Sequence, residues 1–267
     1  MIKLIAVDMD GTFLDDQKKY DRELFAKQLA KMKKQGIKFV VASGNQYLHL
    51  EKYFPAFLKD ICFVCENGAL IVEKNQVIYE QFLDSERVNQ IVEILLTNQR
   101  IALDRLILSG KQRSYILRST KQEFIENGRF FYHNLQVVDS LYDIPDQIFK
   151  ITVNFTPDKK AESLAELKAS APHQVTILTS GLKAVDIISS NAGKEKAIAF
   201  LQTNLSISDR EIACFGDNLN DLGMIKKAAY GFVVENGHDE LKRYAYKIIG
   251  NNNENAVLRE IAKIVTD

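Results

Sequence analysis

The chain has 267 residues, 46% of them hydrophobic, and its 35 basic side chains are balanced by 35 acidic ones. A balanced charge provides no polycationic field to hold nucleic acid or an anionic membrane, although a small anionic substrate needs only a local positive site. No run approaches the roughly 20 apolar residues of a membrane span, and the opening "MIKLIAVDMD" meets an acid too soon for a signal peptide. A soluble, cytoplasmic protein with no obligate protein partner is therefore expected.

In chain order, "LIAVDMDGT" reads as a buried strand that ends in Asp8 and Asp10. A helix follows with Phe25, Leu29 and Met32 on one face, and Gly36 stands where a helix-ending glycine belongs. "IKFVVASGN" is a second apolar strand, "NQYLHLEKYF" opens another helix, and "ICFVCENGA" is a third strand. Short apolar strands alternating with amphipathic helices predict a parallel, helix-covered sheet. Cys62 and Cys65 lie in that third strand and point to opposite faces. They are therefore read as two unrelated buried thiols and not as a zinc or redox pair, and with Cys214 they make an odd set that argues against a secreted disulfide scaffold.

The rhythm changes after "NQVIYEQFLDS". A helix marked by Val88, Ile91, Val92 and Leu95 precedes the paired strands "IALDRLILSG" and "RSYILRS". Then come a helix near "KQEFIEN", the strand "IFKITVNF", a helix from Asp158, and the strands "QVTILTSG" and "AVDIIS". This is α+β with hairpins. From Ala197 the α/β alternation resumes with "KAIAFLQ", "EIACFGD", "YGFVV", "DELKRYA", "KIIG" and a last helix from Ala256; "NNN" at 251–253 reads as the loop before it. The simplest organisation is a Rossmann-like parallel-sheet core built from residues 1–83 and 188–267. An α+β cap, residues 84–187, is inserted within it.

Ligands of open parallel sheets bind beyond the carboxyl ends of the strands. Four segments stand there: "DMDGT", "ASGN", the "NAGKEK" approach to a helix, and "GDNLND". Carboxylates held roughly 4 Å apart repel by about 4 kcal/mol per pair at an effective dielectric of about 20. Asp8, Asp10 and Asp217 therefore call for a hard divalent cation, for which Mg²⁺ is the best fit. His49, His133, His173 and His238 are scattered and form no zinc cluster in the sequence. The Asp-x-Asp-Gly-Thr turn, through Met9 and Gly11, presents backbone N–H groups to an anion. Ser43, Gly44 and Lys194 add a hydroxyl, an N–H and a positive charge suited to a phosphoryl group.

These segments stand in the order of the four motifs of the haloacid dehalogenase superfamily, which the chain resembles over nearly its whole length. The mid-chain insert resembles the type II cap of Cof-type phosphatases, while "GIKFVVASGNQY" and "ENGAL" look like bacterial sugar-phosphate phosphatases of that group. The resemblance implies Asp8 as nucleophile and Asp10 as general acid and base. It implies Mg²⁺ on Asp8, Asp217 and the Asp10 backbone carbonyl. Ser43 and Lys194 match the residues that position and stabilise the phosphate. Met9, Gly44, Asn45 and Asn220 match phosphate-binding positions, with Thr12 and Asp221 in support. Asn45 departs from the arginine common at its position, which favours substrates with a single phosphate. The implied activity is hydrolysis of small phosphorylated metabolites, chiefly sugar phosphates, under a closing cap with Thr179, Ser180 and Lys183 as candidate edge contacts. A phosphosugar mutase and a non-catalytic phosphosugar sensor remain as alternatives, separated from it by release of inorganic phosphate.

Overall fold

The computed structural model describes residues 1–180 and 184–265; Lys183, a candidate cap-edge contact, lies outside them. In chain order the elements are β1 (Leu4–Val7), α1 (Arg22–Lys34), β2 (Lys38–Ala42), α2 (Tyr47–Leu50), β3 (Cys62–Cys65), β4 (Leu70–Glu73), β5 (Gln76–Glu80) and α3 (Ser85–Thr97). Next come β6 (Leu103–Gly110), β7 (Ser114–Leu117), α4 (Gln122–Phe131), β8 (Leu135–Val138), β9 (Ile148–Phe155), α5 (Lys160–Ser170), β10 (Val175–Ser180) and β11 (Ala184–Ser189). The last third holds α6 (Lys194–Leu205), β12 (Ile212–Gly216), α7 (Leu222–Lys227), β13 (Tyr230–Val234), α8 (Asp239–Lys242), β14 (Lys247–Ile249) and α9 (Ala256–Ile264). None of the described helices is long and apolar enough to cross a membrane.

One sheet runs β14-β13-β12-β1-β2-β3-β4-β5, parallel from β14 to β3. Its central strands β1, β12 and β3 are buried at every residue, as expected of parallel strands with both faces covered. Helix α1 starts on an Asp21 side chain that accepts from Leu24 N–H at 2.9 Å, and just beyond its end Gly36 takes φ +66°. Gln28 on α1 donates to the Leu258 carbonyl of α9 at 2.7 Å, tying the first helix to the last. The three cysteines are buried and unpaired with one another.

The sheet is not wholly parallel. β4 runs antiparallel to β3, and β5 follows after Lys74 and Asn75, both left-handed at φ +51° and +61°. Such a turn usually advertises itself with Asn-Gly or Asp-Gly; "EKNQ" has neither, so the sequence pattern gave no warning of the hairpin. The predicted helix in "NQYLHLEKYF" is also shorter than its length suggests. Only Tyr47–Leu50 is α-helical; a single 3₁₀ turn continues it and Pro55 follows, restricting the residue before it.

The second sheet, β10-β11-β9-β6-β7-β8, is antiparallel apart from the β7–β8 pair. Alternation along its strands sorts the side chains. Leu106, Leu108, Ile151, Val153, Val185 and Ile187 pack with Val88, Ile91, Val92 and Leu95 of α3 and Leu167 of α5. Ile107 and Ile116, one residue out of phase, pack instead with Ile125 of α4.

The chain divides into two compact units, residues 1–44, 54–78 and 193–267 forming one, and residues 45–53 and 79–192 the other. The second unit's stretch 79–192 contains residues 84–187, and the unit also takes in a short outlying segment. Gln46 shows why that segment groups with it. Its amide donates to Ser109 and Ser114 hydroxyls at 2.9 and 3.0 Å, and its carbonyl accepts from His133 N–H at 2.9 Å.

In the first unit, the end of β3 meets the start of α6 at backbone distance. Gly68 sits at φ +94°, and a Cβ built on it would lie 2.2 Å from the Gly193 carbonyl oxygen. Neither the angle nor the space admits a side chain. Gly68→Ala is expected to destabilise the protein by about 2–4 kcal/mol, read from the urea midpoint at unchanged slope.

Candidate active site

Parallel register brings the motifs to one end of the first sheet. Val7 pairs with Phe215 on one side and Val41 on the other, and Ala42 pairs with Val64. The residues just past these positions are Asp8, Asp217, Ser43 and the turn Glu66–Gly68, so four strand ends deliver their polar residues to a common edge.

Lys194 is the hub. Its side chain has no exposed surface and its Nζ donates to Asp8 Oδ1 and Asp221 Oδ1, each at 2.6 Å. Burial alone lowers the Lys194 ammonium, but the Asp221 and Asp8 carboxylates override it and hold the group above its usual range. Asp221 uses its other oxygen to accept the N–H groups of Asp217 and Asn218 at 3.0 and 3.1 Å, fixing the loop that carries Asp217. Thr12 donates its hydroxyl to Asp217 Oδ1 at 2.8 Å.

Asp8, Asp217 and Asp221 place one oxygen apiece within 4.8 Å of one another. Burial pushes the Asp8 carboxyl well above the ordinary carboxylate range; Lys194 opposes this, and Asp221 and Asp217 reinforce it. Burial, then Asp221, raises Asp217 to about 6, and its carboxyl also shares a hydrogen bond with Asp8. Two acids close enough to share a proton, in an all-oxygen donor set, fit a hard divalent cation. Gly11 is required beside them. It takes φ +84°, and a Cβ there would lie 2.7 Å from Asp217 Oδ2.

The remaining expected residues are distributed less uniformly. The Asp10 carboxylate is outside this cluster; its side chain is 44% exposed and it accepts from Lys18 Nζ at 2.6 Å. Met9 is fully buried, so its side chain is core and a ligand would meet only its backbone. The N–H groups of Thr12, Phe13 and Leu14 turn back onto the Met9 carbonyl, leaving fewer donors in the turn than its sequence suggested. Ser43 is buried, donates its N–H to Val64 O at 2.8 Å and accepts from Asn67 N–H at 3.0 Å. Gly44 lies against the Asn67 side chain, where an added Cβ would come within 3.0 Å. Asn220 donates to Asn67 Oδ1 at 3.2 Å. Asn45 opens the 45–53 segment of the second unit.

Asn67 is the residue that motif reading passed over. It is fully buried at φ +54° and joins the Ser43 strand end to the Asn220 loop. The available signal was its place: "ENG" follows a buried strand at the same end of the sheet as the other motifs.

Residues 5–261 match the haloacid dehalogenase-like hydrolase family, and the chain belongs to that family. It is an enzyme of the phosphoric monoester hydrolase class. It is 35% identical over 264 residues to the Escherichia coli 5-amino-6-(5-phospho-D-ribitylamino)uracil phosphatase, covering 99% of this chain and 96% of that one. A solved protein from Streptococcus mutans has 30% identity and a TM-score of 0.92 over the whole of both chains. A sugar phosphatase of haloacid dehalogenase subclass IIB shares the fold at 18% identity, with a TM-score of 0.81 over 99% of this chain and 100% of that one.

The raised Asp217 carboxyl gives a pH signature. Folded Asp217 holds a proton that the unfolded chain releases above its ordinary carboxylate range. The stability this proton contributes is fully present below that range and is lost as pH rises through about 6. In excess chelator, the thermal midpoint is expected to fall as pH rises from the ordinary carboxylate range through about 6, and Asp217→Asn is expected to flatten that slope.

Proposed function

We propose that the chain hydrolyses phosphate monoesters of sugars and sugar alcohols in two phosphoryl transfers through Asp8, with Mg²⁺ as its metal. The coarser activity is that of a phosphatase of small phosphorylated metabolites, as family membership indicates. The observation that carries the finer reading is the buried Asp8–Lys194–Asp221 bridge beside Asp217.

In the first transfer an Asp8 oxygen attacks phosphorus and the bond to the ester oxygen breaks. The electron pair stays on that oxygen, and the Asp10 carboxyl gives it a proton. The products are a free alcohol and a phosphorylated Asp8. In the second, Asp10 takes a proton from water as the water attacks phosphorus, inorganic phosphate departs and Asp8 returns as a carboxylate. Lys194 and the Ser43 hydroxyl orient phosphoryl oxygens, with N–H groups near Met9 and Gly44 and the Asn220 amide in support. Asp221 aims Lys194, and Thr12 aims Asp217. Asp8, Asp217 and the Asp10 carbonyl would hold the cation. When bound, Mg²⁺ supplies positive charge that offsets repulsion between the carboxylates and the phosphate.

Two further observations support the substrate class. The Escherichia coli relative is named for a substrate whose phosphate sits on a ribityl chain. Asn45, a neutral amide, offers no charge for a second phosphate. Phosphate release across a panel of sugar phosphates, phosphoribityl compounds, nucleotides and bisphosphates is expected to favour the first two groups. A preference for bisphosphates would overturn the assignment.

Asp8→Asn is expected to lower turnover by at least about 1,000-fold while leaving the circular dichroism spectrum unchanged. Separately, a chelator is expected to abolish turnover and Mg²⁺ to restore it. Full activity without metal would count against the carboxylate site.

A further inference from the structure

Asp10 stands on a loop, residues 8–21, that leaves the sheet edge and returns to start α1. One flank of this loop is fastened by rings. Phe13 lies 5.0 Å from Tyr20, 5.5 Å from Phe25 and 6.0 Å from Phe54. The other flank is fastened by amides from two distant stretches of chain. Asn236 donates to the Gly11 carbonyl at 2.7 Å and accepts the Asn252 N–H at 3.0 Å. Asn252, only 4% exposed, donates to the Leu14 carbonyl at 2.9 Å. Asn253 and Asp16 exchange a pair of bonds, Nδ2 to Oδ2 at 3.1 Å and backbone N–H to Oδ1 at 3.0 Å.

The carbonyls held in this way are not arbitrary. Gly11 directly follows Asp10 and bends the chain at φ +84°, while Leu14 bridges back to Asp10. Asn236 and Asn252 therefore grip the backbone on both sides of the turn that aims the Asp10 side chain. An amide suits the task. Asn236 donates and accepts at once, and neither asparagine adds charge next to a cluster already rich in carboxylates. The "NNN" run has a second, local part, in which Asn251 caps the turn before α9 by accepting from Asn253 N–H at 3.0 Å. Capping explains Asn251 alone; it leaves the reach of Asn252 to Leu14 unexplained.

We propose that Asn236 and Asn252 are positioning residues for Asp10, holding its carboxyl where it delivers a proton to the departing ester oxygen. This rests on the reading of Asp10 as general acid. The experiment compares two substrates in the intact enzyme with Mg²⁺. Ribose 5-phosphate must expel an alkoxide and needs the proton; p-nitrophenyl phosphate expels a stable phenolate and does not. The ratio kcat/KM is the quantity to measure, because it counts steps only through expulsion of the leaving group.

Asn252→Ala and Asn236→Ala are each expected to lower kcat/KM for ribose 5-phosphate about 10- to 100-fold, and for p-nitrophenyl phosphate less than about threefold. Asn236→Asp, similar in shape but unable to donate to the Gly11 carbonyl, is expected to match the alanine variant. Equal losses on both substrates would show general loosening of the fold and overturn the positioning role. So would no loss on either. Should Asn252→Ala not fold, the exposed Asn236 carries the test alone. Asp10→Asn serves as the reference. A leaving-group-selective loss there, absent in the asparagine variants, refutes positioning while sparing the general acid; no selectivity in Asp10→Asn refutes the general acid, and the positioning role falls with it.

Discussion

The first unit is organised around one buried ammonium. Removing Lys194 from water costs several kcal/mol, and two carboxylates at 2.6 Å recover that cost only because each is itself held in place. Asp8 is held by the parallel pairing of β1, and Asp221 by the two loop N–H groups it accepts. The lysine reaches both because Gly68 and Gly193 allow α6 to begin against the end of β3. A bridge of this kind makes three distant stretches of chain interdependent. Neutralising the lysine alone would leave two carboxylates buried without their counter-charge.

The same geometry gives two nearby acids unlike surroundings. Asp8 is 6% exposed and faces an ammonium and other carboxylates; the Asp10 side chain is 44% exposed and faces water and Lys18. A strand end makes this separation natural, since residues two apart straddle the point where extended backbone becomes a turn. In the proposed reaction these surroundings suit different work. A carboxylate fixed by bonds is ready for in-line attack, and one on a turn can exchange protons with solvent and leaving group. The Lys18–Asp10 pair is exposed and contributes little to stability, so its interest lies in where it holds the side chain.

Much of this was readable beforehand where periodicity and punctuation agree. β1, β2, β3 and β12 are short apolar runs ending in polar residues, and α1 and α3 carry clean apolar faces. The hairpin β4–β5 escaped notice because its turn uses lysine and asparagine in left-handed conformations instead of glycine. β8, with "LQVV", is too short for alternation to distinguish it from loop. At the site, acids and a lysine in order could be read as chemistry, whereas Asn67 and Asn252 form hydrogen bonds with groups far away in sequence. Such partners are set by tertiary register, which no local pattern encodes. The 45–53 segment is a similar case: the three bonds of Gln46 that group it with the insert reach residues at least 60 positions away.

The pairing of β1 with β12 has a bearing on biosynthesis. Leu4 meets Ile212, so the strand bearing the reactive aspartate borders a partner made about 200 residues later. On the ribosome β1 can join β2 and β3 early, but its other edge stays open until most of the polypeptide has emerged. During that interval the nascent chain presents an apolar strand edge of the kind that invites aggregation or chaperone binding. It also lacks Lys194, Asp217 and Asp221, so an incomplete chain carries Asp8 without the ammonium and acids that surround it in the finished protein.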